Sequence, residues 1–198
     1  MSLADSFSIR SQILSKRDHL SFSAISYLSK KIIDSLRKLE EYKKSGIPLI
    51  YVSFRSEVNT HQLIRDRLSG GLKAAIPKTD VKKRRLEIYL LKDWEKGLRP
   101  GAYGILEPDV KVASLIRPSQ IDMVVIPGSV FDRQCGRYGY GGGYFDRFLS
   151  IEAQQALRIG LAFSLQVLPK IPLKTHDQRM DIIVTENEIL RCNRQANS

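Results

Sequence analysis

The sequence predicts an α/β domain with a mostly parallel central sheet flanked by helices. Two observations carry that expectation. Short β-rich runs, LIYVSF at 49–54, RIGLAF at 158–163 and DIIVT at 181–185 among them, alternate with segments of helical periodicity. The strongest run, Met123–Ile126, is apolar at every position rather than every second one. A strand covered on both faces reads that way, and parallel strands are the ones so covered. The chain has 198 residues, 42% of them hydrophobic, which suits one domain spanning 1–198 with a real core.

Taken in order, Ile9, Ile13 and Leu14 recur at helical spacing and predict a first helix over Ser8–His19. Ser21 caps a second, whose apolar face is Ile25, Leu28, Ile32, Leu36 and Leu39, with Gly46 and Pro48 as its stop signal. Leu49–Phe54 reads as the first central strand. A loop with Glu57 follows. Then comes a helix holding Leu63, Ile64 and Leu68, capped by Asn59 or Thr60 and closed by Gly70–Gly71. Lys73–Pro77 reads as a short strand, with Leu86–Leu91 pairing beside it as a hairpin or edge strand. Gly97, Pro100, Gly101 and Gly104 make a turn-rich segment. Ile121–Pro127, Arg158–Phe163 and Asp181–Thr185 are the remaining strands, and Asn193–Ser198 reads as a frayed end.

The totals exclude some functions. No apolar run approaches the ~18 residues of a membrane span, and the first ten residues lack the apolar stretch of a secretory signal. Cys135 and Cys192 lack metal-ligand spacing and are expected to be free thiols in a reducing cytoplasm. The net charge of +11 allows an anionic partner. Its densest runs, Lys82–Arg85 and the lysines and arginines of 30–44, read as a hairpin turn and a solvated helix face with little aromatic interleaving, so nucleic acid is not the expected partner.

The chemistry concentrates in IDMVVIPGSVFDRQCGRYGYGGGYFDRFL, residues 121–149. Ligands of open α/β sheets sit beyond the carboxyl ends of strands, where Pro127–Gly143 falls. Gly139, Gly141, Gly142 and Gly143 would let backbone N–H groups approach an oxyanion, and the helix that follows would add its positive end. On that helix Tyr144, Phe145, Phe148 and Leu149 form an inward face. Asp146 beside bound phosphate would suit magnesium, and Arg137 could reach phosphate as a charged fork. Glycine clusters also make ordinary tight turns, and the spacing fits neither the dinucleotide fingerprint nor the P-loop.

GRYGYGGGYFDRFL resembles the signature of the 5-formyltetrahydrofolate cyclo-ligase family, roughly R-L-G-x-G-x-G-Y-Y-D-R. Arg137, Gly139, Gly141, Gly143, Tyr144, Asp146 and Arg147 match; Tyr138 and Phe145 replace a leucine and a tyrosine. VVIPGSVFD, YVSFRSEVNT, AAIPK, YGILEP and THDQRMD fall in the family's order, so the resemblance covers most of the chain. It implies a fold similar to the sugar-phosphate isomerase and CoA-transferase type. It also implies ATP- and magnesium-dependent closure of 5-formyltetrahydrofolate to 5,10-methenyltetrahydrofolate, in which phosphate positioning rather than a side-chain nucleophile does the chemistry. By the same resemblance Arg10 and Arg137–Phe145 would hold ATP, Tyr140–Tyr144 would also border the folate, and Asp146 and Asp177 would ligate magnesium. Val52, Glu57 and Tyr103 would contact the substrate, Glu57 by accepting hydrogen bonds from the pterin. Where many members have K-x-x-L-R, SFSIR supplies Arg10 but sets Ser6 in the place of the lysine, with Lys16 or Arg17 as candidate substitutes. His19, His61 and His176 are scattered and expected to be incidental. A monomer is the expected state. Two alternatives remain: a relative with a shifted substrate, and a basic RNA-binding module that would have no use for the glycine loop.

Overall fold

The computed structural model describes residues 3–192; Asn193–Ser198, read as frayed, lie outside them. The first helix, α1, spans Leu3–Asp18, starting before the predicted Ser8. The second, α2, spans Phe22–Lys38, with the Ser21 side chain accepting from the Ala24 N–H at 3.2 Å, as predicted. It does not run to Gly46. Leu39 turns extended (φ −65°, ψ 129°) and a separate turn, α3, covers Glu40–Lys44. The stripe holds nevertheless: Ile32 and Leu36 are fully buried, each worth roughly 1.5–3 kcal/mol relative to exposure.

Strand β1 is only Pro48–Ile50. The predicted run to Phe54 leaves the sheet because side chains capture its backbone. Thr60 Oγ1 donates to the Tyr51 carbonyl at 2.7 Å and accepts from the Ser53 N–H at 3.1 Å. Helix α4 (His61–Ser69) follows Thr60 and stops at Gly70. Strands β2 (Ala74–Asp80) and β3 (Arg85–Leu91) form the predicted hairpin, with the Lys82–Arg85 run at its turn. The turn-rich segment folds into a small antiparallel flap, β4 (Leu98–Pro100) and β5 (Leu106–Pro108), joined by a 3-10 turn at Ala102–Gly104. Next come β6 (Ser114–Ile116), β7 (Met123–Ile126), β8 (Val130–Asp132) and β9 (Arg137–Tyr138). Helix α5 is the single turn Tyr144–Arg147, continued by a π-helical turn at Phe148–Glu152. The chain ends with β10 (Leu157–Leu161), β11 (Val167–Leu168), β12 (Ile182–Val184) and β13 (Ile189–Arg191).

The eight-stranded sheet has the order β13-β12-β10-β7-β1-β2-β3-β6. From β12 through β2 its neighbours are parallel, and the antiparallel pairings lie at the two margins. This is the predicted α/β class with a mostly parallel sheet. Successive β7 residues serve opposite cores. Val125 joins Ile32, Leu36, Leu63 and Ile64 under the helices, while Val124 and Ile126 join Phe148, Leu149 and Ile183 on the other face. A third cluster, Ile13, Val130, Tyr138 and Ile171, seats α1 against the small β11-β8-β9 sheet.

The cysteines correct the reading from composition. Cys135 and Cys192 are 57 residues apart in sequence yet form a disulfide, with Cα atoms 6.2 Å apart. The fold brings them together through one segment. The Met180 N–H donates to the Cys135 carbonyl at 2.8 Å, and the Cys192 N–H donates to the Asp181 carbonyl at 2.9 Å as β13 returns along β12. Among the described residues no helix is long and apolar enough to cross a membrane.

Candidate active site

Strands β1 and β7 are parallel neighbours, so the chain leaves both at the same edge of the sheet. A cleft of about 480 Å³ opens there. Val52 and Glu57 line it from the loop after β1, Tyr103 from the flap, and Arg137, Tyr140 and Asp146 from the glycine segment. Pro77 lines it too; it lies in β2 beyond the one residue pair by which β1 reaches that strand. Residues distant in sequence, Glu57 and Asp146 above all, thus meet in one cavity.

The glycine loop is a backbone device. Gly141 (φ 101°) and Gly143 (φ 64°) adopt left-handed conformations that side chains disfavour. A Cβ on Gly142 would stand 2.7 Å from the Tyr144 ring. Arg147 fastens the loop: its Nη2 donates to the Gly142 carbonyl at 2.9 Å and its Nε to the Arg84 carbonyl at 3.0 Å, across to the β2–β3 turn. The predicted inward face packs inward: Phe148 and Leu149 are buried, and Tyr144 and Phe145 are half-buried against the same cluster while also lining the cleft. Because α5 and the π-helical turn that continues it are short, the helix dipole is small, and an anion here would depend mainly on individual N–H groups of the loop.

Behind the loop stands a buried polar frame. Arg137, 2% exposed in its side chain, donates through Nη1 to the Pro127 carbonyl at 3.1 Å and through Nη2 to Asp146 Oδ1 at 2.9 Å. It is therefore engaged with the loop and with Asp146 rather than presented as an open fork. Ser129 and Gln166, both buried, were not singled out from sequence. The Ser129 hydroxyl donates to the Tyr138 and Gly139 carbonyls, and the Gln166 amide to the Gly128 and Ser129 carbonyls. Nothing in a lone Ser or Gln signals this; only the VIPGS turn hints that a strand end must be tied down.

Asp146 Oδ1 also accepts from the Gln178 N–H at 3.2 Å, which brings the Asp177 loop alongside. Asp177 itself accepts from the Lys174 N–H at 2.8 Å, faces His176 at 3.8 Å, and is not among the cleft-lining residues. The described residues contain no cluster of three or more metal-binding side chains. The donor set nevertheless fits magnesium, which takes one or two carboxylates and completes its shell with phosphate oxygens and water. Asp146 Oδ2 is left without a hydrogen bond at the cleft wall, and Asp177 stands one residue from the other oxygen's partner.

On the opposite wall, the Glu57 carboxylate accepts from the Phe54 N–H at 2.9 Å. Burial holds its carboxyl above the ordinary range, partly offset by the Tyr140 phenol, the Phe54 N–H and Arg17. Burial, and then the Glu57 charge, push the Tyr140 phenol far upward, so it stays a neutral donor. Arg17 was a candidate for the missing lysine. It is buried, and its Nη1 donates to the Tyr140 hydroxyl at 2.7 Å. Lys16 is exposed on the next position of α1.

Arg10 lies off this cleft. Its guanidinium stacks 4.7 Å over the Tyr138 ring, and it lines an adjoining groove with Phe7, Leu14, Asp18, Tyr140 and Gly141. Tyr140 thus separates the groove from the cleft. Tyr138 is 1% exposed and donates its hydroxyl to the Pro172 carbonyl, so its side chain is structural; Ser6, on α1 itself, is buried. Val52 is buried at the cleft floor. Tyr103 stands at the flap tip in a left-handed conformation (φ 59°), largely exposed, and lines the cleft together with Tyr144. His61 packs against Trp94 at 5.0 Å outside the cleft lining, and His19 bonds the Ser15 carbonyl and lines the adjoining groove.

Fold and site together define an α/β enzyme with a small-ligand cleft over the carboxyl ends of its parallel strands. The comparisons make this specific. Residues 3–186 match the model of the 5-formyltetrahydrofolate cyclo-ligase family. A probable 5-formyltetrahydrofolate cyclo-ligase of Schizosaccharomyces pombe is 27% identical over 187 residues, 88% of this chain and 89% of that one. The mouse 5-formyltetrahydrofolate cyclo-ligase is 29% identical over 156 residues, covering 74% and 76%. The NMR structure of Aquifex aeolicus 5,10-methenyltetrahydrofolate synthetase superposes with a TM-score of 0.83 at 32% identity, covering 96% of this chain and 94% of that one. The chain belongs to the 5-formyltetrahydrofolate cyclo-ligase family, and its enzyme class is that of these relatives.

Proposed function

We propose that the protein uses ATP and magnesium to close 5-formyltetrahydrofolate into 5,10-methenyltetrahydrofolate, releasing ADP and phosphate, and that residues 1–198 act as one catalytic domain. The observation that carries the reading is the meeting of the glycine loop, Asp146 and Glu57 in one cleft. In the reaction the formyl oxygen attacks the γ-phosphorus and ADP departs. N10 then attacks the activated formyl carbon, and the oxygen leaves as phosphate together with the N10 proton. Both steps build or move charge on phosphoryl oxygens, so they need positioning and neutralisation rather than a nucleophilic side chain.

The N–H groups of Gly139–Phe145 would cradle the phosphates, with Arg10 supplying a cation from the adjoining groove. Arg137 holds Asp146 in place and offsets its charge. Asp146, with Asp177 behind it, would hold magnesium, which when bound neutralises the phosphates in the transition state. Glu57 would accept hydrogen bonds from pterin N–H groups, while Val52, Tyr103 and Tyr140–Tyr144 border the folate rings and keep water from the activated carbon. The chain would act as a monomer, since every group named lies on one copy. A cytoplasmic setting rests on the ATP requirement alone, because the disulfide removes the argument from free thiols. Purified protein with ATP, magnesium and 5-formyltetrahydrofolate should release ADP in step with rising near-ultraviolet absorbance of the methenyl product. Absence of both signals overturns the proposal.

A further inference from the structure

Under the flap sits a buried acid with no task in the reaction. Glu107, on β5, is 6% exposed and lines the cleft. Its cross-strand partner on β4 is Arg99, but that guanidinium is given to Asp109 at 3.3 Å. Glu107 Oε1 accepts instead from the Thr79 N–H of β2 at 2.9 Å.

The sheet creates the need for this acceptor. β1 pairs with β2 only at Leu49 and Ala75, so past that point β2 has β3 on one side and no strand on the other. N–H groups two residues apart in a strand point to the same edge. On the edge that β1 leaves, Pro77 has no N–H to offer. Thr79 has one, and Glu107 takes it. An apolar residue would pack there with less desolvation but would leave that donor unpaired. The other oxygen, Oε2, lies against the turn of the flap: a Cβ on Gly101 would stand 2.2 Å from it. One carboxylate therefore touches the sheet and the flap tip at once.

That tip carries Tyr103. Two successive residues there are left-handed, Tyr103 (φ 59°) and Gly104 (φ 77°). Glycine adopts this freely, whereas tyrosine holds it only where its surroundings fix it. The Gly101 N–H donates to the Ile105 carbonyl at 2.8 Å and the Ile105 N–H to the Ala102 carbonyl at 3.1 Å, and Glu107 braces Gly101. The base of the flap is secured separately, by buried Leu98 and by the Asp109 N–H on the Gly97 carbonyl at 2.8 Å. We infer that Glu107 is a positioning residue for the substrate wall: seated on the Thr79 N–H, it fixes the turn that sets Tyr103 at the mouth of the cleft. This rests on the folate reading above.

The test has a ligand-free arm and a kinetic arm. Amide hydrogen exchange without ligands is compared in wild type, Glu107→Gln and Glu107→Ala. In Glu107→Ala the Gly101 and Ile105 amides should exchange on the order of tenfold faster, the scale of one charge-assisted hydrogen bond, while Val124 and Val125 in β7 keep their wild-type rates. Glu107→Gln keeps an oxygen for the Thr79 N–H and should restore most of the protection. In turnover, Glu107→Ala should raise the KM for 5-formyltetrahydrofolate by about tenfold with the KM for ATP unchanged. Tyr103→Ala should raise the same KM, and the double variant should be no worse than the poorer single, because the two act as one unit. Unmoved flap amides overturn the inference. So does equal acceleration in the flap and β7, which a merely structural role would give. Effects on the folate KM that multiply in the double variant overturn it too, since Glu107 would then act without Tyr103. If Glu107→Ala fails to fold, Gly101→Ala, whose Cβ must displace the carboxylate, has to free the same amides and raise only the folate KM. A wild type that turns over no folate while its flap amides respond as stated overturns the functional reading and leaves the Glu107 brace standing.

Discussion

Replacing Asp146 by asparagine separates the metal role from the structural one. Asp146 Oδ1 accepts from Arg137 at 2.9 Å and from the Gln178 N–H at 3.2 Å. Asparagine keeps an oxygen there, so both bonds can persist, but the Arg137 bond changes from charge-assisted to neutral. Bonds to charged groups contribute about 1.5–3 kcal/mol against about 1 for neutral ones, so the loss should be on the order of 1–2 kcal/mol. At 2–4 °C per kcal/mol for a chain of this size, the Tm should fall by about 2–8 °C and the protein should remain folded at assay temperature. Alanine would be a poorer probe. It would leave a guanidinium 2% exposed without its carboxylate, and breaking a buried pair that way costs about 3–5 kcal/mol. In activity the asparagine variant should lose on the order of 10²-fold in kcat, the scale seen when a group neutralising transition-state charge is removed, and need more magnesium to reach half its maximum. The assay is initial rate of methenyl product against magnesium concentration. A wild-type magnesium curve with undiminished turnover would show that Asp146 serves only to seat Arg137.

Three further outcomes are expected. Glu57→Gln should raise the KM for folate well above any change in the KM for ATP, and equal changes would argue against a pterin contact. Burial holds the Glu57 carboxyl above its unfolded value, so the folded state binds that proton more tightly. This makes a contribution that lowers stability as pH rises through the folded midpoint; the glutamine variant should lack that decline, its Tm at neutral pH no lower than wild type, and a lower Tm would refute the sign. Gly143→Ala, at φ 64° with its new Cβ 2.9 Å from Arg147 Nη1, should cost about 1–2 kcal/mol in backbone conformation and raise the KM for ATP more than that for folate; an unchanged ATP KM would remove the loop from the phosphates. Thiol titration of denatured protein should find no free cysteine without reductant, and reduction should lower stability by up to about 4 kcal/mol for a closed loop of 57 residues, read as a shift in urea midpoint.

What could be read from the sequence followed periodicity and backbone chemistry. Met123–Ile126 announces a doubly covered strand and is one, and the α2 stripe buries as its spacing requires. The hairpin at Lys82–Arg85 and the glycine loop are visible for the same reason, because local backbone demands leave local residue signatures. The misses share a cause as well. Leu49–Phe54 has strand composition, but Thr60 takes its hydrogen bonds. The cysteines carry no spacing signal, since β13 must first fold back on β12 to bring them together.

The polar frame of the site belongs to that second kind, and it alters how the motif residues should be understood. The family resemblance marks Arg137, Tyr140 and Asp146 as if each faced ligand. In the fold Arg137 is held by Pro127 and Asp146, the Tyr140 hydroxyl stands between Arg17 and the Gly128 carbonyl, and Arg147 fastens Gly142 to the β2–β3 turn. Much of the signature therefore sets the shape and charge of a few atoms: the loop N–H groups, Asp146 Oδ2 and the Glu57 carboxylate. Side chains held by two or three partners lose little further freedom when a ligand arrives, which is what a cleft that works by positioning requires. The two walls also share a part, because Tyr140 sits in the glycine segment and lines the cleft beside Glu57, so a displacement of that segment would move a group that faces the acid.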